Sequence, residues 1–125
     1  MNRLKTKIVE TSNGKIAVCE SDEIIIKDGQ SALEFAANIV YAHDCVNIAV
    51  NKAAIHEDFF KFSTGVTGEV AQKFVNFRCR IAIFGDFSRY TSKPLLDYMY
   101  ECNKGKHLYF AEDEAEAVKK LTDKP

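Results

Sequence analysis

The sequence has almost no net charge, because its 17 basic and 18 acidic residues leave a formal charge of −1. Binding to a phosphate backbone needs clustered positive charge, and the sequence has no such cluster, so nucleic acid is not expected as a partner. Long apolar runs are also missing, since stretches such as residues 81–84 extend for a few residues at most. A membrane-spanning helix needs about 20 apolar residues, so membrane insertion is not expected either.

The cysteines do not form the pairs that metal sites or disulfide scaffolds use. Cys19, Cys45, Cys79 and Cys102 are far apart and contain no C-x-x-C pair. Zinc ligands usually occur in close pairs, so we interpret all four as reduced thiols in or near the core. Nothing in the sequence indicates a metal or another cofactor. Reduced thiols, with an N-terminus that lacks an apolar signal segment, predict a cytoplasmic protein.

No linker, internal repeat or low-complexity tract interrupts the chain, and 125 residues is close to the commonest size of one domain. We therefore predict a single domain over residues 1–125. Near its start, β-like runs at residues 5–10 and 15–19 flank Asn13-Gly14. Both of these turn residues tolerate the positive φ of a tight hairpin, so an antiparallel hairpin is expected here.

Beyond the hairpin, helix-like and strand-like segments alternate. The pattern Ser31-x-x-Glu34 is typical of a capping box and predicts the start of the first helix. Strands are predicted at residues 46–50, 80–84 and 107–110, each followed by a predicted helix. The order β-β-α-β-α-β-α-β-α predicts an α/β fold, with a mainly parallel sheet of four to five strands and an N-terminal antiparallel hairpin.

In such a fold the loops after the parallel strands meet at one edge of the sheet, where ligands usually bind. These loops are predicted at residues 51–68, 85–92 and 111–113. Free N–H groups at a helix start, together with the planar fork of Arg89, suit a small anionic ligand. The residues of this hypothetical site are Ser63, Thr64, Gly65, Thr67, Asp86, Ser88, Arg89 and Tyr90.

The same residues also have a purely structural interpretation, which stays open. Ser, Thr and Gly are favoured at the start of any helix. Asp86 and Ser88 suit a turn whose backbone they satisfy, with Arg89 either paired within the protein or facing water.

The sequence contains no complete catalytic motif. Ser63 lies near His56, Glu57 and Asp58, but no G-x-S-x-G elbow surrounds this serine. Cys79 lies where a helix leads into a buried strand, and thiols in such places are usually inert. The sequence therefore favours a non-catalytic protein, and no catalytic residue is assigned.

Aromatic residues are abundant, with nine phenylalanines and five tyrosines. The third predicted helix is apolar on more than one face, through residues such as Leu95, Leu96 and Tyr100. One explanation of such an apolar surplus is a subunit or partner interface. Deep burial of these residues in the core explains it nearly as well. A homodimer and a regulatory protein partner are therefore both kept as hypotheses.

Three segments, at residues 57–60, 64–78 and 81–93, resemble a bacterial family described as domain of unknown function 4180. The likeness covers most of the chain, and residues 74–93 are its specific part. The family supplies no established activity, so the resemblance implies a bacterial protein and no particular chemistry.

The order of elements is also similar to that of the anti-sigma factor antagonist (STAS) domains. In those domains a serine at the start of the second helix is phosphorylated by a partner kinase, within the signature Asp-Ser-Ser-Gly. The matching residues here are Phe62, Ser63, Thr64 and Gly65, so a phenylalanine replaces the aspartate. This resemblance implies a STAS-like fold and Ser63 as a phosphorylation site.

Two hypotheses of function follow. The favoured one is a non-catalytic regulatory or protein-interaction domain in a bacterial cytoplasm. The alternative is a binder of, or an enzyme on, a small anionic ligand at the carboxyl edge of the sheet.

Overall fold

The chain begins with two antiparallel strands, β1 (Lys5–Thr11) and β2 (Gly14–Glu20). They pair from Lys5 opposite Glu20 to Thr11 opposite Gly14, whose φ of +106° suits the tight turn. The predicted hairpin is therefore confirmed. The structure is a computed structural model and describes residues 4–123.

Helices and parallel strands alternate after the hairpin. These elements are α1 (Gly29–His43), β3 (Asn47–Asn51), α2 (Val66–Asn76), β4 (Arg80–Phe84), α3 (Lys93–Lys104), β5 (Leu108–Ala111) and α4 (Glu114–Asp123). The strands lie in the sheet in chain order, with β2 to β5 parallel to one another. The predicted α/β fold, its order of elements and its mixed five-stranded sheet are confirmed.

Three of the helices lie on one face of the sheet and the fourth lies on the other. Because the parallel strands are neighbours in chain order, crossovers of one hand place α1, α2 and α3 on the same face. Phe35 of α1, Phe74 of α2 and Leu95 of α3 share one core cluster with Ile48 and Ile81 of the sheet. The opposite face packs on α4 through its own cluster, which includes Ile16, Val18, Ala82, Tyr109 and Leu121.

The start of α1 differs from the predicted one. Its N-cap is Asp28, whose carboxylate accepts a 2.8 Å hydrogen bond from the backbone N–H of Ser31. Ser31 is thus the third helical residue, and its hydroxyl accepts from the backbone N–H of Asp28 at 3.1 Å. The predicted capping box of Ser31 with Glu34 is therefore wrong: the box is formed by Asp28 with Ser31, three residues earlier, and Glu34 accepts from the side chain of Gln30 instead. Aspartate caps a helix as well as serine does.

Between β3 and α2 the chain forms three short 3₁₀ turns, at Lys52–Ala54, Glu57–Phe60 and Phe62–Thr64. Phe59 and Phe60 are buried, so this connection packs firmly on the end of the sheet.

The cysteines occupy the predicted places, since Cys19, Cys45 and Cys79 are buried and Cys102 is half-buried. Within residues 4–123, none of the helices has the length and apolar character that crossing a membrane requires.

Candidate functional site

The carboxyl ends of β4 and β5 are the place where the chain leaves the sheet in two directions. The two strands stay paired to their last residues, and Gly85 donates its backbone N–H to Ala111 O at 3.0 Å. After β4 the chain turns towards α3 on one face, and after β5 it turns towards α4 on the opposite face. Such a divergence leaves a crevice between the two connections, which is the usual ligand site of open α/β sheets.

A cleft of about 520 Å³ occupies this crevice. A volume of this size falls in the range of small-molecule pockets. The residues that line the cleft are Gly85, Asp86, Phe87, Ser88, Met99, Asn103, Phe110, Ala111, Glu112 and Glu116. They come from the β4–α3 connection, from α3, and from the end of β5 with the start of α4.

The floor of the cleft is apolar. Phe110 and Met99 are buried, and the ring of Phe87 packs edge-on against Phe110 with centroids 5.6 Å apart. These side chains belong to a larger aromatic cluster, in which Phe87 also contacts Phe60 and Phe60 contacts Phe59. The cluster fixes the floor in place, because each ring has neighbours on more than one side.

The rim of the cleft is acidic, since Asp86, Glu112 and Glu116 line it and none of its described lining residues is basic. Hydrogen bonds from Ser88, first from its hydroxyl and then from its backbone N–H, hold the pKa of Asp86 below its usual value. Glu116 accepts from the backbone N–H of Glu112 at 3.1 Å, which orients its carboxylate towards the rim. A cation therefore suits this cleft better than an anion does.

Lys52 does not line the cleft, but its charge acts on Asp86 of the rim. Its amino group is 5.1 Å from the ring centroid of Tyr90 and 5.6 Å from that of Phe60. Its charge also lowers the pKa of Asp86, after the larger effect of Ser88. The side chain passes so close to Gly85 that a Cβ there would lie 2.7 Å from the Cβ of Lys52.

The predicted site residues divide into two groups. Asp86 and Ser88 line the cleft, and Ser88 donates its backbone N–H to the Asp86 carboxylate at 2.9 Å. Arg89 and Tyr90 lie on the same connection but contact Glu57, which follows β3. The fork of Arg89 is thus engaged by a carboxylate of the protein itself.

The predicted residues at the start of α2 lie on the same edge of the sheet. Gly65 is the N-cap with a φ of +81°, and Ser63 is exposed. The hydroxyl of Thr64 donates to Lys61 O and Asp58 O, both at 2.8 Å. Thr67 is buried and donates its hydroxyl to Phe59 O. Most of this group therefore holds the β3–α2 connection together, and the two connections touch through Glu57.

Sequence reasoning missed most of the residues that line the cleft. The residues not predicted are Gly85, Phe87, Met99, Asn103, Phe110, Ala111, Glu112 and Glu116. Glu112 belongs to the third predicted loop, so its position at the carboxyl edge was a usable signal. Met99 and Asn103 reach the cleft from the side of α3, and no local pattern marks which side of a helix faces a crevice.

A second recess, of about 540 Å³, lies at the ends of β2 and β3. Leu4 forms one of its walls. The carboxamide of Asn51, another lining residue, accepts the backbone N–H of Ser21 at 2.9 Å and donates to Ser21 O at 2.7 Å. The connections do not diverge at this recess, because those after β2 and β3 lead to the same face of the sheet. The cleft beyond β4 and β5 is therefore the stronger candidate.

Nucleophilic chemistry finds little support in the described residues. Burial raises the pKa of the Cys19 and Cys79 thiols to about 11, so neither is a thiolate at neutral pH. The Nδ1 atom of His56 accepts the backbone N–H of Asp58 at 3.0 Å and caps a 3₁₀ turn. Over residues 4–123, no group of three or more His, Cys, Asp or Glu side chains is arranged to hold a metal ion.

Comparison with known proteins gives one family. The chain matches no curated protein and no solved structure. A family model described as "Domain of unknown function (DUF4180)" matches residues 11–121, which include every element from β2 to β5 and most of α4. The chain therefore belongs to the domain of unknown function 4180 family.

Proposed function

We propose that this chain is a non-catalytic interaction domain whose cleft beyond β4 and β5 binds a cationic side chain of a protein partner. The observation that supports this proposal is the pairing of an apolar floor with an acidic rim, in the crevice where the connections diverge. Lysine and arginine match both parts, because they have an apolar stem and a charged head.

The form of the cleft also suits this kind of ligand. Phe87, Met99 and Phe110 offer apolar contact at the bottom, while Asp86 and Glu112 stand at the rim. A basic side chain that enters stem-first along the rings would leave its head beside the carboxylates. A small anion would instead meet like charge there, so the alternative of an anionic ligand is less well supported at this cleft.

Binding of matched peptides tests the proposal. Unstructured peptides that carry lysine or arginine are compared by titration calorimetry with the same peptides after lysine acetylation or arginine-to-citrulline replacement. We expect the cationic forms to bind and the neutral forms to bind at least about tenfold more weakly. A simple alkyl diamine is then added as a competitor. Its effect on peptide binding shows whether the cleft prefers a cation from a protein segment or one from a small free amine.

The rim is tested by the double variant Asp86→Asn with Glu116→Gln, which keeps both hydrogen-bond acceptors and removes two charges. We expect it to weaken binding of the cationic peptide about tenfold. The matched control is Glu10→Gln with Glu34→Gln, which removes the same charge from two exposed side chains outside the cleft. Equal loss in both double variants, or no preference for the cationic peptides, would overturn the proposal.

Regulation by phosphorylation is a second proposal, and the exposure of Ser63 favours it. This serine lies in the 3₁₀ turn that precedes α2, beside the exposed Lys61, so a kinase of the bacterial cytoplasm would have access to it. We expect phosphate on Ser63 in protein isolated from its own cells, found by mass spectrometry, and none at the buried Thr67. Its absence under all growth conditions would count against a STAS-like mode of control.

A further inference from the structure

The outer edge of β5 is open to pairing, because no described strand lies beside it, although all four residues of β5 are buried at 0–4% exposure. This strand is the last in the sheet, and within residues 4–123 no strand pairs with its far side. The backbone C=O of His107 accepts from Ile81 of β4 at 2.9 Å, and that of Ala111 accepts from Gly85, just after β4, at 3.0 Å. Because backbone groups alternate in direction along a strand, Leu108 and Phe110 point theirs away from the sheet.

One side chain of α3 already contacts this edge. The carboxamide oxygen of Asn103 accepts the backbone N–H of Phe110 at 2.8 Å. Leu96, Tyr100 and Asn103 are spaced i, i+4 and i+7, so they lie on one face of the helix. That face therefore lies beside the open edge, and it exposes 42% of Leu96 and 62% of Tyr100.

The charges along β5 are arranged with opposite signs at its two ends. Lys106 and His107 precede the strand, and Glu112 and Asp113 follow it, all of them exposed. In an antiparallel pair of two identical strands, Leu108 of one copy lies opposite Phe110 of the other. The same register places Lys106 of each copy opposite Glu112 of the other, so the edge is complementary to itself.

The other edge of the sheet lacks this character. β1 carries the exposed Lys5 and Lys7, and the amino group of Lys7 pairs with Glu114 of α4 at 2.8 Å. Lysine on an edge strand is a common protection against pairing with another chain. The open edge of β5 is therefore the better surface for association.

We propose that two copies of this chain associate through antiparallel pairing of their β5 strands, forming one continuous ten-stranded sheet. Leu108 and Phe110 form hydrogen-bonded pairs across the two-fold axis, and Asn103 releases the N–H of Phe110 to the second copy. Leu96 and Tyr100 of both copies cover one another beside the joined edges. The Lys106–Glu112 pairs fix the register. The proposal does not assume the cationic ligand, but the interface shares Asn103, Phe110 and Glu112 with the cleft.

Charge reversal tests the interface through the oligomeric state of the whole chain. Lys106→Glu and Glu112→Lys each replace two attractive pairs with two repulsive ones, so we expect each to raise the dimer dissociation constant about thirtyfold. Mixing the two single variants restores both pairs in a heterodimer, and the double variant restores them in a homodimer. Sedimentation velocity over a micromolar dilution series measures all four samples.

The control is Lys27→Glu with Glu34→Lys, a charge exchange at exposed positions away from the edge. We expect it to leave the dimer unchanged. Hydrogen exchange is a second measurement. We expect the amide of Leu108 to be protected in the dimer and to exchange at least about tenfold faster in Lys106→Glu. A strictly monomeric protein overturns the proposal. So does a dimer whose dissociation constant is unchanged in both charge-reversal variants, or one that does not form again when the two variants are mixed.

Discussion

The hydroxyl of Tyr90 lies 3.0 and 2.9 Å from the two carboxylate oxygens of Glu57 and donates to them. Glu57 follows β3 and Tyr90 follows β4, so this contact joins two connections that are 33 residues apart in sequence. The ring of Tyr90 also stacks on Phe60, with centroids 5.0 Å apart. The carboxyl edge of the sheet is thus stiffened beside the cleft.

Replacing Tyr90 with phenylalanine isolates the polar part of this contact. Tyr90→Phe keeps the stacked ring and removes the hydrogen bond to Glu57, so we expect it to lower the free energy of unfolding by about 1 kcal/mol. Chemical denaturation measures this change. The control is Tyr41→Phe, which removes the hydroxyl of a tyrosine that is 82% exposed and should change stability very little. Equal effects in the two variants would show that the Glu57 contact adds no stability.

Two glycines should respond to alanine in opposite directions. A Cβ at Gly85 would lie 2.7 Å from the Cβ of Lys52, so Gly85→Ala forces the backbone to shift and should destabilise the fold by about 1–3 kcal/mol. Gly68 lies inside α2, where an added Cβ would meet no other atom within 4 Å, so Gly68→Ala should stabilise by about 0.5–1 kcal/mol. Thermal denaturation of both variants checks the signs, and a stabilised Gly85→Ala would contradict the close approach of Lys52.

Acid should weaken the cap of α1. Hydrogen bonds from the backbone N–H and then the hydroxyl of Ser31 lower the pKa of Asp28 in the folded chain. A lowered pKa means that the carboxylate stabilises the fold at pH values above its unfolded pKa of about 3.9, and that this stability is lost as the pH falls through the folded value. The variant Asp28→Asn keeps a side chain that can cap the helix, but this side chain does not titrate. The stability gap between the natural chain and this variant should therefore shrink between neutral pH and about pH 3, as urea denaturation would show.

Alkali should act through the buried thiols. The pKa of Cys79 is raised from 9.0 to about 11 by burial, so the folded chain keeps this proton at pH values where the unfolded chain releases it. Its contribution to stability is complete below pH 9 and is lost as the pH rises towards 11. We expect Cys79→Ala to lose stability less steeply than the natural chain over this range. Urea denaturation at several pH values gives the free energy of unfolding of both chains. An equally steep fall with pH in the two chains would contradict the raised pKa.

The sequence was most informative where a local pattern carries its own physical cause. The Asn13-Gly14 pair predicted the turn between β1 and β2, although only Gly14 has the positive φ that was expected of both residues. The strand predicted at residues 80–84 coincides with β4, whose residues are buried on both faces. The start of α1 was predicted three residues too late, because both Asp28 and Ser31 are good capping residues and the sequence does not rank them.

The candidate site depended on contacts that no local pattern contains. Asp86 and Ser88 were placed at the carboxyl edge correctly, since they directly follow a strand. Arg89 follows the same strand, yet its partner Glu57 comes from another connection. Glu69 of α2 similarly accepts the backbone N–H of Gly29 at 2.7 Å, a cap for α1 that is supplied from 40 residues away.

By itself, the sequence determined the alternation of strands and helices, the hairpin and the edge of the sheet where loops gather, because hydrophobic period and turn chemistry act over a few residues. Tertiary structure decided which face each helix covers, that the connections after β4 and β5 part, and that acidic side chains from α4 and the β4–α3 loop share one cleft. It also left the far side of β5 open. These features depend on strand order, and strand order is set by the burial of the whole sheet rather than by any one segment.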